Sequence, residues 1–332
     1  MCLVCLSFLV FADTDAYYKD TDGDGKEDVL VIENEYYRIT FSPDEGGKAK
    51  ELFYKPLNKN LAGRDVFQDH VVELGEMVGS KIYYCNHPYT SEIISKGPDK
   101  CEIKFYSNLP GVGKYSSYKD IVIERRYVLL KNSPIIYVSI NVKNNSKDTL
   151  PFTLMVGHWA WVENEDSWYF VPDELGVIND FDSQVRSFSA PCGSQEPTSN
   201  FTGFISTQSK LGLIFVMDWK YLDAIECWLS KGPSACVQWP YRRQNLKPGE
   251  VWSTKYIIYP IENIESIDGC DENYTIGITV GEESGIGNFI SKKEIQLGKE
   301  VPVKVYISSP IGGKLKVEYG YRILPEEKET II

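Results

Sequence analysis

The feature that most constrains the fold is an almost unbroken succession of strand patterns from residue 29 onward. Two of the clearest runs, Ile121 to Leu130 and Ile135 to Val142, are rich in β-branched residues and are separated by a Lys-Asn-Ser-Pro turn. No segment of 12 residues has the period of an amphipathic helix. In the second run we predict that the core face carries Ile136, Val138, Ile140 and Val142. The sequence therefore predicts an all-β protein of mainly antiparallel strands, with more strands than one small sandwich needs.

The strand pattern falls into a large unit and a small one. The large unit spans residues 29–262, and its later strand runs are Leu211 to Met217, Ala224 to Leu229 and Trp252 to Tyr259. Around Pro260 to Glu272 the composition becomes acidic and polar. Three more alternating runs follow, at Tyr274 to Val280, Val301 to Ser308 and Lys314 to Tyr319. They predict a small β-sandwich domain over residues 273–332, and so few strands lead us to expect that this sandwich is incomplete.

The charge balance argues against two classes of partner. The 332-residue chain has 35 basic and 47 acidic residues, which gives a net charge of −12. A surface of this sign repels the phosphates of nucleic acids and the headgroups of anionic lipids. No stretch of the sequence approaches the roughly 20 apolar residues of a membrane span. We therefore expect neither a nucleic-acid partner nor membrane insertion, while the oligomeric state stays open.

The amino terminus bears on the compartment. Residues 1–12 are mostly apolar and uncharged, and they end in Val-Phe-Ala, which places small residues where a signal peptidase cleaves. We interpret this run as the remnant of a signal peptide, which implies a secreted or extracytoplasmic protein. The alternative is a buried first strand.

Removal of this leader would leave an even number of cysteines, which permits many disulfide pairings among which the sequence cannot choose. These cysteines are Cys85, Cys101, Cys192, Cys227, Cys236 and Cys270. They contain no Cys-x-x-Cys pair, so a zinc site is only weakly supported. Asn-x-Ser/Thr sequons start at Asn144, Asn200 and Asn273.

The sharpest local motif is the acidic run DTDGDGKED at residues 20–28, within a segment that we delimit as 13–28. Its alternating aspartates can bring side-chain oxygens together on one hard cation, while Gly25 allows the positive φ that such a turn needs. The pattern resembles the calcium loops of integrin-type propeller blades and thrombospondin type 3 repeats. We predict a structural Ca²⁺ site and no organic cofactor; the alternative is a solvated acidic linker. The predicted ligands are Asp20, Asp22, Asp24, the carbonyl of Lys26, and Asp28.

The tryptophans are unevenly distributed, because all 7 lie between Trp159 and Trp252. An indole ring stacks on the apolar face of a pyranose while polar neighbours bond the hydroxyls of the sugar, so the clustering favours a carbohydrate cleft. The alternative is that most of these rings belong to the core. We predict that the ligand contacts Trp159, Trp161 and Trp239.

Three stretches resemble the galactose mutarotase-like β-supersandwich family, which includes the aldose 1-epimerases. They are residues 33–47, which begin ENEYYRI and end in a Gly-Gly turn; residues 124–161, a long strand pair that leads to GHWAW; and residues 235–250, which hold ACVQWP and an LKPGE turn. The resemblance covers roughly residues 29–260. It implies a large antiparallel β-supersandwich, which the small C-terminal β-sandwich would follow.

The resemblance also implies site residues. His158 stands where the epimerases have the histidine that protonates the sugar ring oxygen, and His87 stands where they have their other histidine. Gln238 occupies the place of the catalytic glutamate, and an amide cannot act as the base that this step needs. Glu226 or Asp218, on the preceding strands, could replace that base. The alternative for His158 is a hydrogen-bonded histidine at a sheet edge.

These observations lead to three hypotheses about function. The first is a secreted carbohydrate-binding protein without standard epimerase chemistry, whose cleft combines the tryptophans with His158, Gln238, Glu226 and Asp218. The second is an active aldose epimerase, or a related carbohydrate enzyme, that uses His158 and an alternative carboxylate. The third is a structural cell-surface module, in which every tryptophan side chain would be buried.

Overall fold

The computed structural model describes residues 14–63, 66–71, 86–111, 113–160, 167–173, 176–179, 191–195, 199–206, 209–229, 235–264, 266–280, 302–312, 320–323 and 328–331. The predicted signal peptide at residues 1–12 and Trp161 lie outside these ranges. Within them, the only helices are single turns or short stretches of 3₁₀ helix, at Pro43–Glu45, Lys55–Leu57, Gly113–Asp120 and Trp219–Tyr221. None of the helices in the described ranges has the length and apolar character of a membrane span.

The rest of the described chain is built of strands. In chain order the first are β1 (Asp15–Lys19), β2 (Val29–Glu33), β3 (Tyr37–Ser42), β4 (Lys48–Tyr54), β5 (Lys59–Asn60), β6 (Gln68–Val71), β7 (Thr90–Ser95), β8 (Lys100–Asn108), β9 (Ile121–Leu130) and β10 (Ile136–Asn144). They are followed by β11 (Leu150–Phe152), β12 (Leu154–Ala160), β13 (Ser167–Asp173), β14 (Gly176–Asn179), β15 (Pro191–Gln195), β16 (Phe201–Ser206), β17 (Leu211–Met217) and β18 (Ile225–Leu229). The last are β19 (Ala235–Pro240), β20 (Gln244–Leu246), β21 (Val251–Glu262), β22 (Gly269–Cys270), β23 (Thr275–Val280), β24 (Val303–Ser308), β25 (Gly320–Ile323) and β26 (Lys328–Ile331). The predicted all-β class is confirmed.

Three large antiparallel sheets organise these strands. The N-terminal sheet has the order β1-β2-β3-β4-β5, and a nine-stranded sheet has the order β14-β13-β16-β17-β21-β10-β9-β8-β7. A third sheet, which we call the short sheet, has the order β15-β18-β19-β12-β6. Smaller sheets pair β11 with β20, β22 with β23 and β24, and β25 with β26. Because β1 pairs with β2 from Lys19 opposite Val29, the acidic run at 20–28 forms the loop of a hairpin.

One face of the nine-stranded sheet packs against both five-stranded sheets and forms the main core. On β10 this is the face that the alternation predicted, with Ile136, Val138, Ile140 and Val142 all buried. Contacts to the N-terminal sheet run through Phe41, whose ring centroid lies 5.2 Å from that of Phe105 and 4.7 Å from that of Tyr127. Contacts to the short sheet run through Phe215, at 5.9 Å from Phe204 within the sheet and 5.8 Å from Trp239 across the layers.

The second face of the nine-stranded sheet is covered at one end only. There β16 and the first five residues of β17 are buried without alternation, because a second core, which includes Ile214, Tyr259 and Ile267, fills this side. The β22–β24 sheet lies against this end, where the Tyr259 hydroxyl donates to the carbonyl oxygen of Asp271 at 2.8 Å. Two of the strand runs predicted beyond residue 272 are present as β23 and β24, and the third, at 314–319, lies outside the described residues.

Two sequence-based expectations about surface chemistry change in the structure. Cys101 and Cys270 carry buried free thiols, so the six cysteines do not pair completely into disulfides. Asn144, the first sequon asparagine, is buried, and its Nδ2 donates to the carbonyl oxygens of Asp148 and Leu246 at 2.8 Å each. The amide group of Asn144 is therefore engaged in hydrogen bonds inside the protein, and it is not accessible for the attachment of a glycan.

Candidate functional site

The two faces of the short sheet have different chemistry. Successive residues of a strand point to opposite sides, and residues directly opposite each other on paired strands share a side. One side carries an apolar and aromatic set, which we call the aromatic face: Val156, His158, Val237 and Trp239. The other side, which we call the polar face, carries Gln68, Trp159, Glu226 and Gln238, together with Met155, Cys236 and Pro240.

The polar face is organised as one row across four strands. In the register, Glu226 of β18 lies opposite Gln238 of β19, Gln238 lies opposite Gly157 of β12, and Gly157 lies opposite Gln68 of β6. Two strand spacings, about 10 Å, separate the backbones of the two glutamines. Gly157, in the middle of this row, has no side chain and is buried.

A short hydrogen bond defines the chemistry of this row. The Nε2 of Gln238 donates to the Oε2 of Glu226 at 2.5 Å. This bond turns the amide nitrogen towards the carboxylate, so that the pair is rich in acceptor oxygens. Gln238 is only 8% exposed and Gln68 only 7%, whereas Glu226 and Trp159 are half-buried. The arrangement therefore suits a ligand that offers several hydroxyl donors.

His158 is not part of this row, which corrects the sequence-based assignment. Its ring is fully buried on the aromatic face, with ring centroids at 5.1 Å from Phe215, 5.2 Å from Trp239 and 5.4 Å from Tyr256. Burial lowers the pKa of His158 to about 3. A proton donor must be charged or acidic and must reach the substrate, and His158 meets neither condition. It is also not at a sheet edge, because β12 lies between β19 and β6.

Trp239 also lies on the wrong side for a ligand. Its side chain is fully buried, and its Nε1 donates to the Tyr241 hydroxyl at 3.1 Å. The tryptophans therefore divide between core and surface. Trp252 is 6% exposed, Trp219 is 45% exposed and Trp159 is half-buried. Of the three rings predicted to face a sugar, only Trp159 is placed beside the polar row by the described residues.

His87 is half-buried, and burial lowers its pKa. Among the described residues, no hydrogen bond or ring contact joins His87 to His158 or Gln238. The role of His87 towards a ligand stays a prediction. Its neighbour Asn86 accepts a hydrogen bond from the Nζ of Lys48 at 2.8 Å.

Asp218 lies in a different place from the other predicted site residues. It follows β17 and lines a cavity of about 510 Å³ on the second face of the nine-stranded sheet. That sheet separates the cavity from the short sheet. Acidic and basic groups line the cavity together, so its charge favours no one class of ligand; they include Arg126, Asp218, Lys255, Asp271 and Glu272.

The acidic loop brings three of its predicted ligands together. One carboxylate oxygen from each of Asp20, Asp22 and Asp24 lies within 4.8 Å of the others. Backbone hydrogen bonds from Gly23 and then Gly25 lower the pKa of Asp20. Asp28 stands apart, because its carboxylate accepts from the backbone nitrogen and the hydroxyl of Thr21, and the hydroxyl bond is the main cause of its lowered pKa. Asp28 therefore closes the base of the loop.

Two parts of the site were missed by the sequence analysis. Gln68 belongs to the polar row because β6 pairs with β12, and Gly157 because β12 pairs with β19; no local pattern indicates either pairing. The strand alternation did carry one usable signal. His158 and Trp159 are adjacent, as are Gln238 and Trp239, so neither pair could share one face of a strand.

The comparisons with known proteins concern the fold. No protein-family model matches this chain, and no curated protein is similar to it in sequence. Among solved structures, a galactose mutarotase-like protein from Clostridium acetobutylicum aligns with a TM-score of 0.58 and 12% identity, over 75% of this chain and 99% of that one. The chain has the galactose mutarotase-like fold. The predicted β-supersandwich is confirmed.

Two further structures share this fold. A candidate aldose 1-epimerase from Klebsiella pneumoniae aligns with a TM-score of 0.52 and 10% identity, over 75% of this chain and 83% of that one. A TPR-domain-containing protein from Parabacteroides distasonis aligns with a TM-score of 0.53 and 14% identity, over 70% of this chain. This chain spans 46% of the length of the Parabacteroides protein. At such identities the likeness shows the fold alone.

Proposed function

We propose that this protein binds a saccharide on the polar face of the short sheet and lacks the acid–base chemistry of an aldose 1-epimerase. The observation that carries the proposal is the 2.5 Å hydrogen bond between Gln238 and Glu226, which forms an acceptor-rich pair beside the half-buried ring of Trp159. Sugars combine hydroxyl donors with an apolar ring face, and these two features of the site complement them. Two of the solved structures with this fold are described as mutarotase-like or epimerase-like.

Two groups would have to transfer protons in an epimerase, and neither is suited to do so in this protein. Gln238 has no titratable group near neutral pH. His158 lies on the aromatic face, and burial lowers its pKa to about 3. The carboxylate of Glu226 is the remaining candidate base on the polar face. The proposal of a scaffold without a ligand is weakened because Trp219 and Trp159 are not buried.

A calorimetric screen of monosaccharides and short oligosaccharides tests the proposal. We expect at least one sugar to bind, and we expect Glu226→Gln to weaken its affinity at least tenfold, because a charge-assisted hydrogen bond is worth about 1.5–3 kcal/mol. Asp218→Asn is the matched control, since Asp218 was a candidate ligand contact by sequence but lines the cavity on the second face of the nine-stranded sheet. Failure of every sugar to bind, or loss of affinity in Asp218→Asn instead of Glu226→Gln, would contradict the proposal.

A polarimetric mutarotation assay separates binding from catalysis. We expect no acceleration above the spontaneous rate. A rate enhancement that disappears in Glu226→Gln would support the enzyme alternative, with Glu226 as the base.

We also propose that the hairpin loop between β1 and β2 binds a structural Ca²⁺. Two oxygens that share one Ca²⁺ at about 2.4 Å can be at most about 4.8 Å apart, and the three aspartate oxygens lie within 4.8 Å of one another. Asp20, Asp22 and Asp24 therefore fit the ion, whereas Asp28 holds the loop closed. Millimolar Ca²⁺ should raise the melting temperature of the wild type and not that of Asp22→Ala, which removes a ligand oxygen. An equal response in both proteins would overturn this site.

The apolar, uncharged run at residues 1–12 supports a proposed secreted or extracytoplasmic location. Amino-terminal sequencing of the protein from its host tests it: a mature chain that begins after Ala12 is expected, and a chain that retains this run would count against it.

A further inference from the structure

The residue that precedes the polar row has an unusual backbone. Phe67 is fully buried and has φ = 63°, in the left-handed region that bulky side chains rarely adopt. Such a conformation persists only when the surrounding structure determines it strongly, and it is concentrated at functional sites. Phe67 is followed directly by Gln68, the first residue of β6 and a member of the polar row.

Two side chains from other strands hold the Phe67 backbone on both sides. The backbone N–H of Phe67 donates to the Nδ1 of His158 at 3.2 Å. The carbonyl oxygen of Phe67 accepts from the Nη1 of Arg125 at 2.7 Å. Arg125, which is also fully buried, donates from Nη2 to the carbonyl oxygen of Gly46. Both polar groups of this peptide backbone are therefore fixed by the core.

The ring of Phe67 is held equally firmly. Its centroid lies 4.9 Å from that of Tyr127, 5.2 Å from that of His158 and 5.7 Å from that of Phe41. These partners come from β9, β12 and β3, so all three large sheets contribute to the clamp. Rotation of the Phe67 backbone would break both hydrogen bonds and displace the ring.

The protonation state of His158 agrees with this role. Its Nδ1 accepts a hydrogen bond, so the neutral ring carries its proton on Nε2. In the described part of the chain, that Nε2 is buried without a hydrogen-bond partner. A leucine would fill the same space without burying an unpartnered N–H. Packing alone therefore does not explain a histidine here, whereas an acceptor for the Phe67 N–H does.

We propose that His158 is a positioning residue that acts through Phe67 to place Gln68 in the polar row, opposite Gly157 and across from Gln238. This inference rests on the proposed saccharide site, because Gln68 matters for binding only if the polar row is that site. His158 touches no ligand in this arrangement. It acts from the aromatic face of the sheet on a residue that belongs to the polar face.

The test compares three variants. His158→Asn keeps an acceptor oxygen at about the place of Nδ1, and His158→Leu removes the acceptor while filling the space. Val237→Ala is the control, because Val237 lies directly opposite His158 on the same buried face and does not bond Phe67. Each variant is measured for thermal stability, for amide hydrogen exchange of the segment that contains Phe67 and Gln68, and for affinity towards the sugar that the calorimetric screen identifies.

We expect His158→Leu to accelerate exchange of the Phe67 amide at least tenfold and to weaken sugar affinity at least tenfold. His158→Asn should restore most of the slow exchange of the Phe67 amide and most of the sugar affinity. Val237→Ala should lower stability, but it should change the exchange rate and the affinity by no more than about twofold. Affinity and Phe67 exchange that follow melting temperature across all three variants would show a merely structural role and overturn the inference. If no sugar binds the wild type, the proposed function fails, and the exchange data alone still decide whether His158 holds Phe67.

Discussion

The aromatic face and the polar face of the short sheet come from the same strands, yet the first packs in the core and the second carries the candidate ligand contacts. On the aromatic face, His158 and Trp239 are fully buried among Phe215 and Tyr256. On the polar face, one residue away along each strand, Trp159 is half-buried and Gln238 bonds to Glu226. A shift of one residue changes a side chain from core to candidate ligand contact, because the side-chain period of a strand is two.

This difference shows why residue identity alone misleads in a β protein. A histidine and a tryptophan in adjacent positions look like one site in a linear motif, but the pleat places them on opposite sides of the sheet. The chemistry then follows the environment. On the aromatic face, burial favours the neutral imidazole of His158 and the indole ring of Trp239. On the polar face, the carboxylate of Glu226 is only half-buried and can stay charged.

The largest expected effect is on stability and tests whether the aromatic face belongs to the core. Trp239→Ala should lower the free energy of unfolding by about 3–5 kcal/mol, because it removes a large, fully buried ring from the core. Trp219→Ala, at a side chain that is 45% exposed, should change it by no more than about 0.5 kcal/mol. Urea unfolding measures both. Similar values for the two variants would mean that Trp239 is not a core residue.

A second prediction concerns the pH dependence that the buried imidazole imposes. The pKa of His158 is about 3 in the folded protein, below the value of about 6.5 in an unfolded chain. The unfolded state therefore binds a proton first as the pH falls, and stability decreases from about pH 6.5 down to about pH 3 at about 1.4 kcal/mol per unit. Between pH 7 and pH 5 this loss amounts to about 2 kcal/mol.

Urea unfolding of wild type and His158→Leu at both pH values isolates this contribution. The variant lacks the titrating group, so its loss of stability on acidification should be smaller by about 2 kcal/mol. Parallel pH profiles would show that His158 is exposed enough to be protonated without unfolding, and the assignment to the aromatic face would then be wrong.

The smallest expected effect lies on the polar face. Trp159→Ala should reduce sugar affinity about fivefold, close to 1 kcal/mol, because a stacked aromatic ring contributes about that much beyond its area. Calorimetry with the sugar found in the screen measures it, and Trp219→Ala is the control for loss of an indole elsewhere on the surface. Unchanged affinity in Trp159→Ala would show that this ring is not part of the binding site, whereas the proposed role of the Gln238–Glu226 pair would not be affected.

Much of the fold could be predicted from the sequence because strand patterns are local. The runs Ile121–Leu130 and Leu211–Met217 coincide with β9 and β17, since β-branched and aromatic residues between turn signals mark strands directly. β21 extends beyond its predicted run at both ends, because its partners β10 and β17 supply hydrogen bonds that a single strand does not show.

The site could be predicted only in part because it depends on pairing between distant strands. Gln238 and Glu226 were recognised as candidates, and the structure joins them. His158 and Trp239 were grouped with them by motif, although their adjacency to Trp159 and Gln238 already excluded a shared face. Gln68 carries no local signal, because its place in the row is created by the pairing of β6 with β12 and by the clamp on Phe67.

A crystal structure of the protein with the sugar that binds most tightly would show directly whether the polar face is the binding site. We expect a sugar ring over Gly157, with hydroxyls donating to Gln238 and Glu226 and one ring face near Trp159. A sugar bound instead in the cavity beside Asp218 and Tyr137, with the polar face of the short sheet unchanged, would contradict it.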